Sequence, residues 1–140
     1  MVKLTREQGQ RITEAIRKAE SLTSGEIRVH WTGSDVKDAY VEAVKLFGKL
    51  GMHRTRQRNG VLILVAPKNR VFAIIGDSGI QEKAGAALWN AAREAMADRF
   101  RRGDLEGGIL EGVRLTGEAL ARFFPRQTGD VNELPDLPSQ

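Results

Sequence analysis

Val61-Leu62-Ile63-Leu64-Val65-Ala66, the turn Pro67-Lys68-Asn69-Arg70, and Val71-Phe72-Ala73-Ile74-Ile75 together decide the fold of this chain. Both apolar runs are rich in β-branched residues and bounded by turn residues, so they read as a buried β-hairpin. Arg58-Asn59-Gly60 leads into the pair. Gly76-Asp77-Ser78-Gly79-Ile80 leads out of it, and its glycines mark a place where backbone comes close to something.

Upstream, Glu26-Ile27-Arg28-Val29-His30-Trp31 alternates polar and apolar, as a half-buried strand does. A helix from Thr5 to about Thr23 precedes it, with Thr5 and Gln8 as a capping box and Ile12, Ala15, Ile16, Ala19 and Leu22 as its apolar stripe. Gly33-Ser34-Asp35 reads as a turn and N-cap. A second helix follows, carrying Val36, Ala39, Tyr40, Ala43, Leu46, Phe47 and Leu50, and Gly51 ends it. Strand, helix and return strand form a crossover that makes the first two strands parallel. The hairpin then adds a third, antiparallel strand.

A third helix is expected from about Ile80 to Arg101, with a small-residue stripe of Ala84, Ala87, Leu88, Ala91, Ala92, Ala95 and Met96. Asp104 caps a fourth, lined by Ile109, Val113, Thr116, Leu120 and Phe124 and stopped by Pro125. Strands apolar on both faces need cover on both. The expected fold class is therefore α/β, a three-layer α/β/α sandwich around a small mixed sheet. Residues 1–124 form the body, and 125–140 form an extended arm carrying Val131, Leu134 and Leu137 among acids.

Composition narrows the classes. A chain of 140 residues is one domain. It has no cysteine, which excludes disulfides and thiolate metal sites. Met1-Val2-Lys3-Leu4-Thr5 lacks the apolar core of a signal peptide, and no apolar run is long enough to span a membrane, so the expected location is cytoplasmic. The net charge of +4 is spread along the helices, with one dense block at His53-Arg54-Thr55-Arg56-Gln57-Arg58. Arg54, Arg56 and Arg58 are candidates for an anion or an acidic partner. Trp31 and Trp89 read as packing residues, so no base-stacking surface is expected.

The best candidate site is the glycine-rich exit. The end of a strand entering a helix is where open α/β sheets hold ligands, and helix amides there favour anions. Gly76, Asp77, Ser78, Gly79 and Glu82 are its members. The alternative is that Asp77 or Ser78 caps the helix and the glycines serve the turn. Gly76-Asp77-Ser78-Gly79 is similar to the nucleophile segment of serine proteases, but only His30 and His53 could act as bases, and neither position suits a triad. Asp35 and Asp38 are favoured at a helix start by the dipole anyway, with a metal role as the lesser alternative. Glu94, Asp98 and Arg102 are spaced as a solvated ion-pair face.

Taken in order, Ser24-Gly25-Glu26-Ile27-Arg28-Val29, Arg58-Asn59-Gly60-Val61-Leu62 and Ile75-Gly76-Asp77-Ser78-Gly79-Ile80 resemble the TPM domain. So does Phe100-Arg101-Arg102-Gly103-Asp104 with Gly108-Ile109 and Gly112, and Asp130-Val131-Asn132-Glu133-Leu134-Pro135-Asp136 resembles the tail of its short single-domain branch. The resemblance implies an α/β/α sandwich. It also implies scattered functions: photosystem repair in plants, receptor modulation in animals, and acid-phosphatase activity or divalent-metal binding in some members. Relatives often carry acids early in the third helix. Here the stretch is Gln81-Glu82-Lys83-Ala84-Gly85-Ala86-Ala87, with Glu82 its sole acid. Asp77 and Glu82 are too few for calcium or magnesium unless Asp35 or Asp104 joins them. The expectation is a degenerate metal site, no cofactor, and a non-catalytic interaction or adaptor domain whose partner is another protein. The alternatives are a metal-dependent acid phosphatase, and weak binding of an anionic surface or nucleic acid through Arg54–Arg58.

Overall fold

The second strand, β2 (Gly60–Ala66), is buried along its whole length. In the computed structural model, which describes residues 4–126, it is the centre of the sheet. The first strand, β1 (Glu26–Trp31), pairs with it in parallel, Ile27 opposite Val61 and Trp31 opposite Val65. The third, β3 (Val71–Gly76), pairs antiparallel, Ala66 opposite Val71 and Val61 opposite Gly76. Alternation along β2 sorts the core. Val61, Ile63 and Val65 join the cluster of three helices: α1 (Arg6–Glu20), α3 (Ser78–Arg101) and α4 (Leu105–Phe123). Leu62, Leu64 and Ala66 join the cluster of α2 (Ala39–Lys49), which covers the other face. Each such buried valine, leucine or isoleucine side chain contributes about 1.5–3 kcal/mol. The helix–sheet–helix sandwich and the element order are those expected from the sequence.

Local chemistry explains the caps. Thr5 and Gln8 form the expected box, at 3.1 and 2.9 Å. Asp104 caps α4 by accepting from the Gly107 amide at 2.8 Å. The inner face of α4 is as expected, with Ile109, Val113, Thr116 and Leu120 all buried.

Three helices differ in detail. The first helix stops at Glu20, because the Thr23 hydroxyl donates to the carbonyls of Leu120 and Phe124 instead of continuing it. Leu22 is left 60% exposed, outside the stripe. The second helix is capped by Asp38, which accepts from the Val41 amide, whereas the Val36 amide donates to the Asn69 side chain. Tyr40 consequently faces solvent. The third helix starts at Ser78 and breaks at Gly85, whose φ of 76° and ψ of 172° belong to glycine alone. The break resets the helical phase, so Trp89, Ala92 and Met96 face the core while Ala87 and Ala91 are exposed.

Pro125 bridges Thr23, and the Arg126 amide donates to the Leu22 carbonyl. The rest of the expected arm, with Val131, Leu134 and Leu137, lies outside the described residues. Among those described, no helix is long and apolar enough to cross a membrane.

His30 on β1 is half-buried, and burial, reinforced by the Arg28 charge, lowers its pKa below the ordinary imidazole value. The folded state thus releases a proton that the unfolded chain still holds. Stability is full above the unfolded value of about 6.5 and falls as pH drops through the depressed folded one. Urea melts across this window are expected to show Cm rising with pH, and His30→Gln removes that part of the slope. An unchanged slope in the variant contradicts the assignment.

Candidate functional site

The hairpin register carries the site together. Because Val61 faces Gly76, the Asp77 amide donates to the Gly60 carbonyl at 2.9 Å, and the Gly79 amide to the Arg58 carbonyl at 2.8 Å. Arg58 adopts a left-handed φ of 53°, which turns its side chain back over the start of α3. Its Nε and Nη2 donate to Asp77 Oδ2 and Oδ1 at 2.7 and 2.9 Å. Asp77 Oδ1 also accepts from the Ser78 amide at 2.7 Å. Asp77 is buried, whereas the Arg58 side chain is half exposed. The carboxylate raises the guanidinium pKa by hydrogen bonding first and by charge second.

The glycines permit this approach. A Cβ on Gly79 would lie 2.1 Å from the Gln57 carbonyl oxygen and 2.7 Å from that of Arg58. One on Gly76 would lie 2.5 Å from the Trp89 ring. The start of β1 closes the cluster. The Ser24 hydroxyl donates to Gln57 Oε1 at 2.6 Å and accepts from Asn59 Nδ2 at 3.2 Å. The Gly25 position would place a Cβ 3.1 Å from the Asn59 carbonyl oxygen. Three sequence segments (Ser24-Gly25-Glu26, Arg58-Asn59-Gly60 and Gly76–Gly79) therefore interlock at one end of the sheet.

The two candidate groups of the sequence reading meet at a single ion pair. Arg58 belongs to the basic block and Asp77 to the glycine exit. Arg54 and Arg56 remain exposed, and neither has an ion pair among the described residues. Glu82 and Ser78 are exposed beside the pair, with no described contact joining Glu82 to Asp77. Gln57, Asn59 and Ser24 are members that sequence reasoning missed.

The acids are dispersed. Asp35 accepts from Asn69 Nδ2 at 2.6 Å, beyond the end of β2 opposite to Gly60. Asp104 accepts from Gly107 and pairs with Arg99 at 3.3 Å, near the end of α3 remote from Asp77. Asp98 pairs with Arg102 on the solvated face. Among the described residues no group of three His, Asp or Glu could hold a metal ion. Calcium takes roughly six to eight oxygen ligands. Asp77 does not fit that role, since both its oxygens accept from Arg58 and a guanidinium lies where a cation would sit.

Helix amides that could hold an anion are also occupied. The Ser78 amide is taken by Asp77, and those of Gly79 and Ile80 by the Arg58 carbonyl. At this end the chain supplies its own anion and its own cation.

The pattern of the TPM domain matches residues 3–119. The BA42 protein of the psychrophilic bacterium Bizionia argentinensis is 39% identical, with a TM-score of 0.90 over 99% of this chain and 95% of that one. The N-terminal domain of the cg2496 protein of Corynebacterium glutamicum is 17% identical, with a TM-score of 0.69 over 94% of this chain and 82% of that one. The N-terminal domain of a P. gingivalis protein is 21% identical, with a TM-score of 0.70 over 84% and 76%. The last two show a shared fold alone. No curated protein sequence matches the chain.

Proposed function

The chain belongs to the TPM domain family, and on that premise we propose that it is a non-catalytic interaction domain whose partner is another protein. One observation supports this above others. Asp77, the acid best placed for chemistry, commits both carboxylate oxygens to Arg58 and the Ser78 amide. A general acid, a nucleophile or a metal ligand needs an oxygen turned toward its substrate. Phosphoryl transfer further needs cations placed to neutralise charge on the transferred group, and the Arg58 charge is already met by Asp77.

Arg54 and Arg56 form an exposed cationic corner beside this locked pair. Such a corner attracts an acidic stretch on a partner and sets the rate and salt dependence of the encounter. Trp31 and Trp89 are both buried, so neither offers a ring to stack on a base, which favours protein over single-stranded nucleic acid.

The test is turnover. The full chain is expected to leave a chromogenic phosphate ester intact at mildly acidic pH, with or without calcium or magnesium. A metal-dependent rate that vanishes in Asp77→Asn, with near-ultraviolet dichroism unchanged, overturns the proposal in favour of a phosphatase.

A further inference from the structure

At the opposite end of the strands a groove of about 650 Å³ opens between the start of β3 and the junction of α3 and α4. Phe72 and Phe100 are part of its wall, packed edge to face with ring centroids 5.0 Å apart. Leu105 and Gly103 continue the wall, and Arg70 and Arg101 complete it. A volume of that size, largely apolar with a few charged groups, is typical of a ligand site.

The arginines of this region divide into two sets. Arg99 pairs with Asp104 and Glu111, and Arg102 pairs with Asp98. Arg70 and Arg101, the two that line the groove, have no ion pair among the described residues. The groove therefore presents apolar wall together with positive charge that no described acid pairs. Its complement is an extended segment with large aliphatic side chains between carboxylates.

The chain contains such a segment. Residues 127–140 hold Asp130, Glu133 and Asp136 with Val131, Leu134 and Leu137, and no lysine or arginine. Reach decides which part arrives. Arg126 follows the end of α4, and the groove lies at its start. The 19 residues of α4 span about 28 Å. Val131 is only five residues beyond Arg126, a span of at most about 18 Å. Leu137 is eleven residues beyond it and can span about 36 Å.

We propose that the groove between β3 and the α3–α4 junction binds this chain's own Leu134-Pro135-Asp136-Leu137. Leu137 packs on Phe72 and Phe100, and Asp136 faces Arg70 and Arg101. The contact is intramolecular and lies at the far end of the strands from the Arg58–Asp77 pair, so it is independent of the proposal above.

The absence of cysteine makes the test clean. Ser139→Cys carries a nitroxide on the full chain, and amide signals are read by NMR. The expected result is selective loss of signal at Phe72, Phe100, Arg101 and Gly103, restored when Asp136→Lys is added. Arg70→Glu with Arg101→Glu is expected to abolish the effect, and combining it with Asp136→Lys to return it in part. Uniform or distant broadening overturns the proposal. So does broadening that appears only on mixing labelled with unlabelled chains, which assigns the groove to a second copy. Broadening insensitive to the charge reversals overturns it as well.

Discussion

Gly79→Ala is expected to destabilise the fold by about 3 kcal/mol, lowering Tm by roughly 10 °C. The cost is steric. Gly79 does not need a left-handed backbone, but its missing Cβ would sit 2.1 Å from the Gln57 carbonyl oxygen and 2.7 Å from that of Arg58. Both obstacles are backbone, so no rotamer change relieves them. Relief requires the loop before β2 to part from α3, and that breaks the hydrogen bonds from Gly79 and Ile80 to Arg58. Gly85→Ala is the control, because a Cβ there meets nothing within 4 Å. Its cost comes from φ alone and is about 1–3 kcal/mol. Thermal melts of the two variants separate crowding from backbone strain. If Gly79→Ala melts with the parent chain, the close approach of loop and helix is wrong.

Much of this end was legible in the sequence through the hairpin. With Ala66 opposite Val71, counting outward places Gly60 opposite Asp77 and Arg58 opposite Gly79, which the observed hydrogen bonds follow. That count was available once the Pro67–Arg70 turn was recognised. The Arg58–Asp77 pair was not drawn from it, because Arg58 looked like one member of a solvated arginine block. A left-handed residue at position 58 is what turns the side chain onto the helix, and single-residue φ values of that kind leave no periodic trace. The break at Gly85 escaped for a related reason. An isolated glycine inside a helical pattern is usually tolerated, and the alanines after it fit a stripe on either phase. The cap of α2 was misplaced because two acids, Asp35 and Asp38, both satisfy the local rule. Only the long-range bond from Val36 to Asn69 decides between them.

Four of the segments that resemble the TPM domain lie among the described residues, and they need not mark one site. Three of them build the locked end around Arg58. The fourth, Phe100–Asp104 with Gly108 and Gly112, lies at the other end, where glycine lets helices close. A Cβ on Gly108 would meet the Phe100 ring at 2.3 Å, and one on Gly112 the Met96 sulfur at 2.7 Å. These residue choices are explained by packing before any ligand is invoked.

Asp77→Ala is expected to cost about 1–2 kcal/mol, the range for loss of an N-cap side chain. It also strands the Ser78 amide and leaves Arg58 without its acid. Arg58→Ala should cost a comparable amount, since it removes the guanidinium that meets the buried Asp77 carboxylate and leaves that carboxylate the Ser78 amide alone. In the double variant the second substitution adds little, because the pair is already lost. Strict additivity of the two denaturant midpoints at constant m sinks the claim that these residues act as a unit. The pair of variants also bears on function. If Asp77 performed chemistry, Arg58→Ala would leave the acid in place and a turnover rate would remain to be measured, while Asp77→Ala would remove it. If Asp77 and Arg58 hold the hairpin to α3 and nothing more, both variants move stability and neither reveals turnover. The two readouts together distinguish a disguised active site from a structural lock beneath a binding surface.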